Sequence, residues 1–395
     1  MLMAPYCTMI MAQWGADVIK VEPPSGDVIR QVDRGRRPGM GPIFINLNRG
    51  KRSIALDLKA EGAREVLDRL IGWADVLVHN LRPRAEQLLG LRADPVLAVN
   101  PRVIHCAFRG FGSRGPYADR PAYDDVIQAA SGMASVQGNG GPPEYVRTVA
   151  ADKAVGLMGA SAVLAALLAR QSSGVGTAIE VPMFETMAQF MLVEQQGGWV
   201  FDPPIGPTGY ARTASPHRHP YATEDGYLAV LIYTDQHREA FFQVIGRADL
   251  NNDPRFLTVE ARSAHIDEFY ALVASALRKG TTKEWQAVLE SADIPSVPVA
   301  SIEDLFEDSH LKATGFFQSE HHPSQGPLVL PRLPVDFGGH SPGPGSAPEL
   351  GEHTVEILRE VGLSDEPIEC LARRGVLVGV DSEHRRGRAA PQGSR

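Results

Sequence analysis

The chain is poor in cysteine. Cys7, Cys106 and Cys370 are isolated, odd in number and form no Cys-x-x-Cys pair. That excludes a disulfide framework and a cysteine-built metal site, and it fits a reducing cytoplasm. Excess positive charge is also missing. Lys and Arg number 39 against 47 Asp and Glu, a formal charge of −8. With no basic field to attract a phosphate backbone, nucleic acid is not an expected partner. Long apolar runs are absent too. The longest charge-free helical stretch, residues 154–169, has 16 residues, short of the roughly 20 that span a bilayer. No basic stretch followed by an apolar core marks a signal peptide. Neither a G-x-S-x-G elbow nor a phosphate-binding loop occurs, which argues against a serine hydrolase or a P-loop NTPase.

What is present is an ordinary globular composition, 43% apolar and 22% charged, over 395 residues. That length suggests two domains. Residues 16–22, 51–58, 74–80, 102–108 and 176–183 read as buried strands. Helical patterns over 60–73, 124–135, 151–170 and 184–195 separate them. The alternation predicts an α/β fold, a Rossmann-like parallel sheet with helices on its faces. The texture changes near residue 200, where a long Pro/Gly loop precedes a strand at 227–233 and helices at 235–246, 265–279 and 282–291. The expected organisation is a large domain over 1–199, a smaller α+β domain over 200–295, a return segment over 296–381, and a disordered basic tail over 382–395.

Three motifs carry candidate chemistry. GFGSRG (110–115) follows a strand and matches a dinucleotide fingerprint. That fingerprint needs a helix to open at once, and Pro116 and Pro121 follow instead, so a turn-rich loop is the better reading. His217 with His219, and His321 with His322, lack an obvious third ligand, so no metal site is expected. Asp152 opens a small-residue helix containing Gly156, Gly159, Ala160, Ser161 and Ala162. It has two readings, an ordinary helix cap or a carboxylate nucleophile favoured by the helix N-terminus.

The chain resembles the class III CoA-transferases, the CaiB/BaiF family, whose fold the α-methylacyl-CoA racemases share. The resemblance covers nearly the whole chain. It rests on PYCTMIMAQWGADVIKVEPPSGD (5–27), LNRGKRSIALDLK (47–59), ADVLVHNLRP (74–83), NPRVIHCAFRGFGSRGPYADRPAYD (100–124), QAASG (128–132), GPPEYVRTVAAD (141–152), IPSVPVASIEDLFED (294–308) and LGEHT (350–354). It implies Asp152 as the nucleophile of an acyl-CoA:carboxylate CoA-transferase, acting through an aspartyl anhydride and an aspartyl-CoA thioester. The CoA thioester is a substrate, and no tightly bound cofactor is implied. Matching CoA-site positions are Leu2 and Met3, Leu56, Asp57, Leu58 and Lys59, Asn80, Leu81 and Arg82, and Pro121, Ala122, Tyr123 and Asp124. Expected partners are acyl-CoA and carboxylic acids, with neither membrane nor nucleic acid, in an interlocked homodimer of the cytoplasm.

Several departures narrow this expectation. Tyr123 stands where the racemases carry a catalytic His, and a phenol is a poor base near neutral pH. That favours transfer over racemisation, the alternative activity; a CoA-binding homologue with impaired turnover is the other alternative. Leu81 replaces an aromatic residue, and Pro23 replaces a basic one. The glycine-rich substrate loop of the formyl-CoA transferases is not visible after residue 200, which argues against formyl-CoA/oxalate specificity. His217, Arg218 and His219 stand in that region instead. Relatives also carry about a dozen residues before the APYCT segment, so a first strand of the sheet is expected to be missing.

Overall fold

The computed structural model describes residues 2–338, 343 and 345–380. The basic tail expected at 382–395 lies outside the described residues. The strands are β1 (Ile19–Glu22), β2 (Arg52–Leu56), β3 (Val76–His79), β4 (Ile104–Arg109), β5 (Thr177–Pro182), β6 (Tyr221–Ala222), β7 (Tyr227–Val230), β8 (Ser296–Pro298), β9 (Phe317–His322), β10 (Gly326–Pro331) and β11 (Leu377–Val378). The chain forms two compact units. Among the described residues, the first comprises those up to 130, 147–187 and those from 313 onward, and the second 131–146 and 188–312.

The first unit is a mixed α/β structure with parallel strands at its heart. β1 and β2 run parallel, with Ile19 opposite Arg52, and β11 joins β2 antiparallel. β3, β4 and β5 form a second, wholly parallel sheet in that order. Five consecutive residues of β4, Ile104 to Phe108, are buried. Such a continuous run suits a strand covered on both faces. The helices Ala63–Trp73, Ala93–Val99 and Ala150–Ser173 lie between these strands in the chain. β9 and β10 add an antiparallel hairpin.

The second unit is smaller. β6, β7 and β8 form an antiparallel sheet. Its core holds Phe241, Phe242, Phe256, Phe269 and Leu289, all buried, from four separate segments. The helix expected over 124–135 is two helices, Asp124–Ala130 and Met133–Gly138. Gly132 breaks it with φ +84, a conformation only glycine adopts freely.

The Ala150–Ser173 helix has 24 residues and is long and apolar enough to cross a membrane by length and composition alone. It exceeds the charge-free stretch read from sequence because Asp152, Lys153 and Arg170 belong to it. One face is buried through Asp152, Val155, Gly156, Gly159, Ala160, Val163 and Ala166. That spacing is the stripe of a helix packed in a protein core.

Candidate functional site

Asp152 is the third residue of its helix, and the capping position before the helix is Val149, which makes no side-chain cap bond. The Asp152 backbone N–H donates instead to Asp124 Oδ1 at 2.9 Å. Asp124 opens the helix Asp124–Ala130, and its other oxygen accepts from Gln128 Nε2 at 2.6 Å. This frees the Asp152 carboxylate from capping its own helix. The Met3 backbone N–H, at the start of the helix Met3–Gln13, lies close enough to that carboxylate to lower its pKa. That N–H is one of the four donors a helix start leaves without an internal partner. The cap reading of Asp152 is therefore corrected: the carboxylate serves another helix. Burial raises its pKa above 3.8, the negative charge of Asp124 adds to that, and the Met3 N–H opposes it.

Two glycines permit this geometry. A Cβ on Gly156 would lie 2.9 Å from Met3 O and from Tyr6 Cδ1. A Cβ on Gly159 would lie 2.1 Å from Phe108 Cζ. The first helix thus crosses the second within the turn after Asp152, which brings Met3 to the carboxylate.

The loop after β4 settles the glycine motif. No helix opens at residues 110–115. The backbone N–H of Gly112 donates to Glu185 Oε1 at 3.0 Å, and that of Ser113 to Glu180 Oε1 at 2.8 Å. Carboxylates occupy the amides a pyrophosphate would need. A Cβ on Gly110 would lie 2.4 Å from the Ala122 Cβ, so this glycine seats the 121–124 segment. Pro121 and Tyr123 are exposed, and Asp124 is buried. The structure thus ties Met3, Asp124 and Asp152 directly together.

The other expected CoA positions lie at strand ends. Leu2 is half-buried and packs against the apolar cluster that contains Ile29, Phe44 and Leu330. Leu56 is buried in the core with Val66 and Ile357. Asp57 N–H donates to Val376 O, and Lys59 N–H to Asp57 Oδ1, which turns the chain and leaves Lys59 exposed. Asn80 and Arg82 are exposed at the end of β3, with Leu81 half-buried between them. The contacts of Leu56–Lys59 and of Asn80–Arg82 are with their own surroundings rather than with Asp152.

Of the histidine pairs, His322 is tied into the fold through both ring nitrogens. The His322 ring donates to Ala347 O at 2.7 Å and accepts from the Ser324 backbone. Arg218 and His219 line a cavity of about 270 Å³ in the second unit with Arg212, Tyr221 and Tyr270. Among the described residues one trio has metal-ligand spacing, His79, Glu86 and His105, all buried. No sequence motif singled it out, because its members come from two strands and a helix. The Arg109 guanidinium lies 2.6 Å from Glu86 and already supplies a cation there.

An α/β enzyme that carries a buried carboxylate where two helix starts meet is defined as a class by these features. The comparisons name the family: residues 1–354 match CoA-transferase family III, and the chain belongs to that family and is a CoA-transferase. It is 32% identical over 391 residues to the formyl-CoA:oxalate CoA-transferase of Escherichia coli O157:H7 (strain EC4115), covering 93% of this chain and 94% of that protein. The enzyme of the same name from Shigella dysenteriae serotype 1 matches equally. Among solved structures, a CAIB/BAIF family protein from Brucella suis superposes with a TM-score of 0.76 at 29% identity, covering 91% of this chain and 96% of that one. Rv3272 from Mycobacterium tuberculosis gives 0.76 at 27% identity, covering 90% and 94%. The family read from the motifs is the family found.

Proposed function

We propose that the enzyme moves CoA from an acyl-CoA donor to a carboxylic acid, with Asp152 as the nucleophile. The observation that carries this is the Asp152 carboxylate, buried at the start of its helix and facing the Met3 backbone N–H. Asp152 attacks the thioester carbonyl, forming an acyl–aspartyl anhydride and free CoA thiolate. The thiolate attacks the aspartyl carbonyl, giving an aspartyl-CoA thioester and the first carboxylic acid. The acceptor carboxylate attacks that thioester, and the returning thiolate completes the new acyl-CoA. A carboxylate suits both roles because it is nucleophile and leaving group in turn. Two helix starts favour its anionic form against the burial that opposes it.

The CoA body extends over Leu2 and Met3, Leu56–Lys59, Asn80–Arg82 and residues 121–124, and no resident cofactor takes part. Arg218, His219 and Arg212 give the second unit a basic cavity suited to a carboxylic acid. We further propose an interlocked homodimer acting in the cytoplasm, without membrane or nucleic acid. Leu157, Leu164 and Leu168 support this: they form an exposed stripe at i, i+7 and i+11 on the helix that carries Asp152. The large domain over 1–199 and 296–381 and the small domain over 200–295 remain our assignment for the functional domains.

Trapping tests the mechanism. Hydroxylamine or borohydride should capture an acyl or CoA species on Asp152, located by peptide mass spectrometry. Full transfer by Asp152→Ala refutes it. Racemisation is the rival, with Asp152 as a base. Rapid α-deuterium uptake from D₂O into a chiral 2-methylacyl-CoA, without any acceptor acid, would favour the rival. Screening acyl-CoA donors against carboxylic acids, with formyl-CoA and oxalate included, identifies the substrates.

A further inference from the structure

We propose that His79, Glu86 and Arg109 are positioning residues for CoA binding: their buried ring of polar contacts clamps both backbone groups of Leu81 and so fixes Asn80 and Arg82 on either side. This rests on the reading of Asn80 and Arg82 as CoA contacts.

The ring closes in four steps. The Leu81 N–H donates to His79 Nδ1 at 3.3 Å. Burial, with the charges of His105 and Arg109 adding to it, pushes the His79 pKa down to about 3, so the ring is neutral in the working range. A neutral imidazole that accepts at Nδ1 carries its proton on Nε2. That proton faces His105 Nε2 at 3.2 Å and Glu86 Oε1 at 3.4 Å. His105 Nε2 lies 2.8 Å from Leu91 O, and a carbonyl only accepts. His105 Nε2 is therefore itself a donor, and the His79 Nε2–H meets the Glu86 Oε1 carboxylate as a close electrostatic contact. Glu86 Oε2 accepts from Arg109 Nη2 at 2.6 Å. Arg109 Nη1 returns to Leu81 O at 3.0 Å.

The side chains of His79, Glu86 and Arg109 are 8%, 6% and 10% exposed. Water competes little for these bonds, which makes them stronger and costly to leave unmade. A loop held this way loses less freedom when ligand binds. A divalent ion on His79, Glu86 and His105 would have to share Glu86 with the Arg109 cation and break the His105 bond to Leu91 O, so the structure favours a clamp over a metal site.

Kinetics of four variants with backbone amide exchange test this. His79→Leu and Arg109→Met should each raise KM for acyl-CoA about tenfold with kcat within about twofold. His79→Asn should stay near wild type, because its amide oxygen can accept from Leu81 N–H. In His79→Leu the Leu81 amide should exchange faster while β3 and β4 stay protected, which shows that the fold survives. Arg82→Ala separates the two readings. Unchanged KM there refutes the CoA role of the loop and the proposal with it. Raised KM in Arg82→Ala alone, with His79→Leu and Arg109→Met normal, overturns the clamp only. Slow Leu81 exchange in His79→Leu, or stoichiometric zinc in the purified enzyme, would overturn it too.

Discussion

Replacing Gly156 with alanine probes the crossing that brings Met3 to Asp152. The new Cβ would sit 2.9 Å from both Met3 O and Tyr6 Cδ1, where ordinary contact begins at 3.4 Å. The first helix must then withdraw by about half an ångström. Two stability effects oppose each other. Alanine gains about 1 kcal/mol over glycine inside a helix, and overpacking costs about 1–3 kcal/mol. The net is a loss of roughly 0–2 kcal/mol, visible as a small drop in denaturant midpoint. Activity should suffer more. Met3 N–H moves with Met3 O, and the interaction of such a donor with a charged group contributes at most about 1.5–3 kcal/mol. Losing most of it lowers kcat/KM by roughly ten- to a hundredfold. Product acyl-CoA, measured by chromatography, gives the rate. Gly72→Ala is the control. Gly72 lies in the helix Ala63–Trp73 and its Cβ would meet nothing within 4 Å, so stability should rise by up to about 0.5 kcal/mol with kcat/KM unchanged. If Gly156→Ala retains kcat/KM within twofold while Gly72→Ala behaves as expected, the geometric argument fails.

Other expectations follow from charge. Asp152→Asn should abolish transfer yet raise the thermal midpoint at about pH 7.5. A carboxyl whose folded pKa is raised binds its proton more tightly when folded, so its ionisation costs stability as pH climbs above about 4. At about pH 3, where both states are protonated, the midpoints should coincide. Wild-type kcat/KM should fall on acidification with a midpoint above 3.8. Burial alone would raise Glu22, but the hydrogen bonds and charge of Arg30, with Lys20, outweigh it and hold the carboxyl below its usual range. The pair is buried at 2.7 Å, so Arg30→Met should cost about 3–5 kcal/mol in urea unfolding. Its contribution should vanish in wild type as pH falls through the lowered Glu22 pKa. Arg218→Ala should raise KM for the acceptor acid about tenfold, a 1.4 kcal/mol loss, and leave KM for the acyl-CoA donor unchanged.

Periodicity carried most of the fold. Strands at 51–58, 74–80 and 102–108 and the helix at 60–73 were legible because a buried parallel strand is a short apolar run and a covering helix repeats at 3.6 residues; the short helices Pro83–Leu88 and Ala93–Val99 were not read. The pattern at 124–135 misled because its apolar positions stay in phase while Gly132 takes a positive φ. The β9–β10 hairpin was not read, since His321, His322 and the Ser324–Gln325 turn show no clear alternation.

The candidate site divides the same way. Residue order alone placed Asp152 at the start of a small-residue helix, and the motifs alone named the family. What the Asp152 carboxylate does was decided by tertiary structure. Asp124, 28 residues away, takes its backbone N–H, and Met3, far earlier in the chain, supplies the donor. The His79–Glu86–Arg109 ring is of the same kind, built from a strand end, a helix and a second strand end. Sequence fixes short-range backbone preference and which faces must be buried. Which polar group meets which is set by where packed elements cross, and at Gly156 and Gly159 that crossing depends on the absence of a single carbon atom.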